Sequence, residues 1–109
     1  MRVAAYVPDL MDRSRVDAAA RGAGATVSHA GAPGGLDPTA DLVVVDLGRP
    51  GVLDVLASHS AQRTVGFASH VDRDLLRAAR RAGCQTVLTR SAFFSRLGSL
   101  LAGGTDPPG

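Results

Sequence analysis

Four short apolar runs in this chain each end in a polar or charged group. Pro8-Asp9 follows the first, Asp46 closes a Val-rich run, Ser69-His70 follows Arg63–Ala68, and Arg90-Ser91 follows Gln85–Thr89. Asp46 offers a carboxylate that holds charge or caps the turn out of its strand, and Arg90 is the cation expected to neutralise it. His70, in Ser-His-Val-Asp, has the chemistry of a general base or a ligand. No nucleophile or metal cluster lies near it in sequence, so a loop histidine at a helix entry is expected, with Asp72 as the cap. Arg90, Ser91 and the start of a following helix have the makings of an anion site. His29 and His59 are scattered and receive no role, and Cys84 reads as a small buried thiol.

A second concentration of charge lies on one helix. Arg73, Arg77, Arg80 and Arg81 recur at helical spacing and share a face. Such a stripe docks on an acidic partner or a nucleic-acid backbone, or it is a solvated face with Asp74 pairing Arg77. No aromatic residue stands there to stack on bases, so nucleic acid is the less favoured partner.

The segments that must position these groups alternate between strand and helix. Arg2–Val7 is an apolar run cut off by Pro8 and reads as a strand. Met11–Arg21 reads as a helix, with Val16, Ala19 and Ala20 inward, Asp12, Arg13, Asp17 and Arg21 on the other side, and Gly22 and Gly24 as the stop. Ala25–His29 and Asp41–Leu47 are strands, the latter with three successive valines, as suits a strand buried on both faces. Between them Ala30–Ala40 is too rich in Gly and Pro for a regular crossover helix. Val52, Leu53, Val55 and Leu56 give a brief helical face, and Arg63–Ala68 is the fourth strand. Asp72–Ala82 is a helix stopped by Gly83, with Leu75, Leu76, Ala79 and Ala82 inward. Gln85–Thr89 is the fifth strand, followed by a helix bearing Phe93, Phe94, Leu97, Leu100 and Leu101. The expectation is an α/β fold of flavodoxin-like type: a three-layer sandwich around a five-stranded parallel sheet of order 2-1-3-4-5, its second crossover helix shortened or absent. Residues 1–102 form one domain, and 103–109 form a disordered tail.

Composition removes several function classes. At 109 residues, one core is expected. No apolar run approaches the roughly 20 residues of a membrane span, and the N-terminus lacks a signal-peptide core, so a cytoplasmic protein without membrane contact is expected. A single Cys excludes an internal disulfide framework and leaves too few thiolates for a zinc or iron–sulfur site. All 12 basic residues are Arg and all 10 acidic ones Asp, and Ile and Asn are absent, as a GC-rich genome would produce. No Gly-rich phosphate loop is present, and an autonomous enzyme is the weakest reading.

Two segments carry a family resemblance. Asp41–Leu56 (DLVVVDLGRPGVLDVL) resembles the third strand and following loop of bacterial response-regulator receiver domains: an Asp, a hydrophobic residue, two more residues and Pro-Gly behind a Val-rich strand. Ala82–Arg90 (AGCQTVLTR) resembles the approach to and course of their fifth strand, which ends in Thr and Lys. The resemblance places Asp46 at the phosphoacceptor position and Arg90 at that of the Lys. It places the Mg²⁺-binding acidic pair on Val7 and Pro8, neither of which can bind a metal, with Asp9 one step later. Ser91 replaces the Pro after the Lys, and Val87 stands at the switch aromatic.

These departures imply a degenerate receiver, or pseudo-receiver, with no cofactor and no use for Mg²⁺. The expected function is that of a stand-alone signalling or interaction module. It works by protein contact and independently of phosphorylation, with Arg73, Arg77, Arg80 and Arg81 as the face for an acidic protein partner. Two alternatives remain: an active phosphoacceptor at Asp46, which needs Asp9 to hold Mg²⁺, and a small-anion binder lined by Asp9, Ser69, His70, Arg90 and Ser91. Neither oligomeric state nor partner identity is legible.

Overall fold

In the computed structural model, which describes residues 1–103, the apolar runs form five parallel strands. They are β1 (Arg2–Tyr6), β2 (Thr26–His29), β3 (Leu42–Asp46), β4 (Arg63–Ala68) and β5 (Thr86–Thr89), in the order β2-β1-β3-β4-β5. Helices α1 (Leu10–Ala23), α2 (Val52–Val55), α3 (Arg73–Arg81) and α4 (Arg90–Leu101) connect or follow them. This is the expected flavodoxin-like arrangement. Apart from Gly103, the tail expected to be disordered lies outside the described residues.

Strand β3 organises the layers. Leu42, Val43, Val44 and Val45 are each 0% exposed, so both faces of the central strand need cover. Val3, Ala5, Val7, Leu42, Val44, Val65 and Phe67 pack under α1 and α4 with Val16, Phe93 and Leu97. Ala4, Val43, Val45 and Leu47 pack on the other side with Leu36, Val52, Leu56 and Ala79. On the first side Phe67 and Phe93 stack at 4.4 Å between ring centres, and Phe94 meets both edge-on.

Helix ends follow from local chemistry. Asp9, in extended backbone, accepts the Asp12 N–H at 3.0 Å and starts α1. The helix therefore begins at Leu10, runs through Gly22, and stops where Gly24 turns left-handed at φ 71°. Thr89 caps α4 the same way, accepting the Ala92 N–H at 3.3 Å, which puts Arg90 inside the helix. Asp72 occupies the cap position just before α3 but makes no cap with its side chain, which corrects the expectation. Its ψ of 63° departs from the extended backbone of the two capping residues, and its side chain makes no capping bond.

The Gly/Pro segment holds only a 3-10 turn, Pro33–Gly35, where a crossover helix would run. It is fastened by Gln62, whose amide donates to the carbonyls of Asp37 at 3.2 Å and Ala40 at 2.6 Å. The buried His59 ring meets the Gln62 Oε1 at 2.5 Å. Both His59 and His29 thus have structural work: His29 Nε2 lies 2.7 Å from Asp17 Oδ1 and ties β2 to α1.

A close approach in the sheet yields a test. A Cβ on Gly66 would lie 2.6 Å from Leu47 Cδ2 and 2.7 Å from its Cγ, and Leu47 is only 2% exposed. Gly66→Ala is expected to cost about 1–3 kcal/mol in urea unfolding through overpacking. The same change in a Leu47→Ala background should cost almost nothing, and an undiminished cost there would refute the clash.

Candidate functional site

Parallel α/β sheets gather their functional groups beyond the carboxyl ends of the strands. Here β1 delivers Asp9, β3 delivers Asp46, β4 delivers Ser69 and His70, and β5 delivers Arg90 and Ser91. The structure brings only part of this set together.

Asp46 ends β3 with its side chain 14% exposed. Its Oδ1 accepts the Gly48 N–H at 3.1 Å and its Oδ2 the Arg49 Nε–H at 3.3 Å. The carboxylate thus closes the turn out of its strand, as an Asp does when its side chain accepts from the backbone two residues on.

Arg90 does not pair with Asp46, contrary to expectation. Its two terminal nitrogens fork onto Asp12, Nη1 to Oδ2 at 3.0 Å and Nη2 to Oδ1 at 2.7 Å. Asp12 sits in the first turn of α1, which packs beside α4, and its side chain is 5% exposed. A planar fork on a carboxylate is the strongest pairing an arginine makes. The guanidinium also lies 5.4 Å from the Phe67 ring centre and 5.3 Å from that of Phe94. The bond to Asp12 raises the Arg90 pKa, against the desolvation that lowers it, and the fields of Asp12, Asp46 and Asp9 add to the rise.

Asp12 is the functional residue that sequence reasoning missed, having been placed on the polar side of its helix. Its spacing held the signal. Asp12, Val16 and Ala20 follow at intervals of four and are all buried, so Asp12 belongs to the inward stripe. A carboxylate in such a stripe requires a partner.

The remaining candidates stand apart. Ser69 and His70 are exposed and, among the described residues, make no side-chain hydrogen bond. Ser91 lines an open groove with Arg15, Phe94 and Ser95, and the Arg15 guanidinium lies 3.8 Å over the Phe94 ring. Arg73, Arg77, Arg80 and Arg81 are all exposed on α3. Cys84 is buried, its Sγ 3.3 Å from the Thr86 carbonyl, and burial pushes the thiol pKa up.

Mg²⁺ takes near-octahedral oxygen ligands, usually including carboxylates. Val7 is core, Asp9 is occupied by the α1 cap, and Asp12 and Asp46 are each held by an arginine. Among the described residues no three His, Cys, Asp or Glu side chains are gathered to hold a metal ion.

Solved structures match this architecture over nearly its whole length. A response regulator protein from Burkholderia multivorans superposes with a TM-score of 0.74 at 21% identity, covering 99% of this chain and 97% of its own. The chain has the fold of response-regulator receiver domains. A receiver domain from Rhodospirillum rubrum matches at TM-score 0.72 and 15% identity, covering 94% of this chain and 92% of its own. The receiver fold also matches a pilus assembly protein CpaE from Caulobacter crescentus at TM-score 0.63 and 20% identity, over 91% of this chain and 92% of that one. No protein-family model matches the sequence, and no curated protein does.

Within this receiver fold the arginine pairing orders the stability of variants. Arg90→Ala strands the buried Asp12 and should cost about 2–3 kcal/mol, less than the roughly 3–5 kcal/mol of a fully buried pair because the arginine is 44% exposed. Asp46→Ala removes turn contacts and should cost about 1 kcal/mol. In an Asp12→Ala background Arg90→Ala should be nearly neutral by thermal unfolding. If its full cost persisted there, the partner of Arg90 would be another group.

Proposed function

We propose that this receiver-like chain is a cytoplasmic signalling module that acts by protein contact, with neither phosphorylation of Asp46 nor Mg²⁺ involved. The observation that carries this reading is the fork of Arg90 onto Asp12. For Arg90 to reach a phosphoryl group on Asp46 it would have to leave a carboxylate that is 5% exposed. Abandoning such a charge costs several kcal/mol. The Asp46 oxygen that attacked would also have to loosen from the Gly48 N–H, at Oδ1, or from Arg49, at Oδ2.

Each of the three acidic side chains nearest the strand ends therefore has a structural task, and none is left over to organise a metal. His70, the side chain suited to proton transfer, is exposed and makes no side-chain bond to Asp46 or Arg90. The reading accordingly assigns no catalytic residue. Occurrence of the same fold in a pilus assembly protein is in keeping with a role exercised by contact. No helix among the described residues is long and apolar enough to cross a membrane.

Treating the purified chain with a small-molecule phosphodonor and millimolar Mg²⁺ tests the proposal. Intact mass should show no phosphoryl adduct, and the melting temperature should not move with Mg²⁺. An adduct that disappears in Asp46→Ala, with Mg²⁺ raising the melting temperature of the parent alone, would overturn the reading and make Asp46 a working phosphoacceptor.

A further inference from the structure

The two edges of the sheet are not equally covered. Strand β5 has a helix packed on each face, with Leu88 towards α4 and Val87 towards α3. Strand β2 has α1 on one face, through Val27 and the His29–Asp17 pair. On its other face, where the crossover is only a 3-10 turn, Thr26 and Ser28 stand exposed in a groove with Arg2, Asp37 and Ala40.

The backbone of β2 is bonded on one side. The Thr26 N–H donates to the Met1 carbonyl at 3.0 Å and the Ala30 N–H to the Ala5 carbonyl at 2.8 Å. The even-numbered residues therefore face β1, and the N–H and C=O of Val27 and His29 point outward from the last strand of the sheet. Open edges are ordinarily guarded by a charge, a proline or a bulge. Thr26–His29 contains no Asp, Arg or Pro, and its register with β1 runs unbroken.

Charge beside this edge is divided lengthwise. Helix α1 runs antiparallel to β2, so Arg21 lies near the start of the strand, by Ala25 and Thr26, and Asp17 lies near its end, against His29. Arg21 is exposed and has no ion-pair partner among the described residues. Asp17 gives its Oδ1 to His29 at 2.7 Å, and its side chain is 43% exposed.

We propose that β2 is the seam of a homodimer: a second copy of this chain docks antiparallel along the edge, about a two-fold axis through Ser28, and the two sheets become one. In this register Val27 pairs with His29 of the partner subunit and His29 with Val27 of the partner subunit, each pair exchanging two backbone hydrogen bonds. The two Ser28 side chains meet across the axis on the face that lacks a helix. Antiparallel docking also turns the Arg21 end of each copy towards Asp17 of the other, so one surface complements itself twice. Parallel docking would set Arg21 against Arg21 and Asp17 against Asp17. The seam goes beyond the contact-based reading and requires nothing of Asp46.

Sedimentation velocity of the full chain, with amide hydrogen exchange at the lowest and highest concentrations, tests the seam. So short a pairing makes a weak dimer, expected to assemble between about 10 µM and 1 mM. In the assembled state the Val27 and His29 amides should exchange about tenfold more slowly than in the monomer. Ser28→Lys sets two cations across the axis and should give a monomer with an unchanged melting temperature. Arg21→Asp alone and Asp17→Arg alone should each be monomeric, while an equimolar mixture of the two should dimerise, because every cross-contact then joins opposite charges. A chain monomeric at the highest concentration, or a dimer in which the Val27 and His29 amides exchange as fast as in the monomer, would overturn the proposal. So would a dimer retained in Ser28→Lys, or a mixture of the two folded charge variants that stays monomeric.

Discussion

Burial of β3 on both faces is the constraint from which the remaining architecture follows. With Leu42–Val45 removed from water, a layer is needed above and below the sheet, and parallel pairing supplies it through crossovers. The crossover from β2 to β3 carries no α-helix, and the residues beneath explain why the fold tolerates this. On that side β1 presents Ala4 and the half-buried Tyr6, and β2 presents Thr26 and Ser28, the latter two exposed. Apart from the Tyr6 ring, which packs on the same core, a small side chain and two hydroxyls expose little apolar area. Leu36 and Ala40, pinned through Gln62, cover what there is.

Charge pairing is settled just as locally at the strand ends. Asp9 serves its own helix, Asp46 its own loop, and Asp12 the arginine of a distant helix. The Arg90–Asp12 fork joins residues 78 positions apart and fastens α1 to α4 on the face that also holds the stacked phenylalanines. Its contribution is conditional. The pair is tolerated because both members are present, and either one alone is a liability.

Much of the fold was legible because its signals are local. The limits of β4, Arg63–Ala68, agree with the apolar run between Gln62 and Ser69, and the Val run before Asp46 marks the central strand. Gly24 and Gly83 punctuate α1 and α3 as expected, both at positive φ. What escaped reading depends on neighbours distant in sequence. Arg90 could not be assigned to Asp12 without knowing that α1 lies against α4, and Asp12 was set aside because its residue type outweighed its position in the inward stripe. Asp72 had the right type and place for a cap and the wrong backbone angle, which no spacing reveals. Similarly, the roles of His59 and His29 exist only once Gln62 and Asp17 are brought to them.

The two sides of the sheet divide the labour. The fork, the capped start of α1 and the Phe67–Phe93 stack belong to the face under α1 and α4. Helix α3 rests on the opposite layer, through Ala79 against the core that includes Val43 and Cys84. The start of α3 nonetheless meets the loop that holds Asp46, since Asp72 and Leu75 line one groove with Gly48 and Arg49, the two residues bound to that carboxylate.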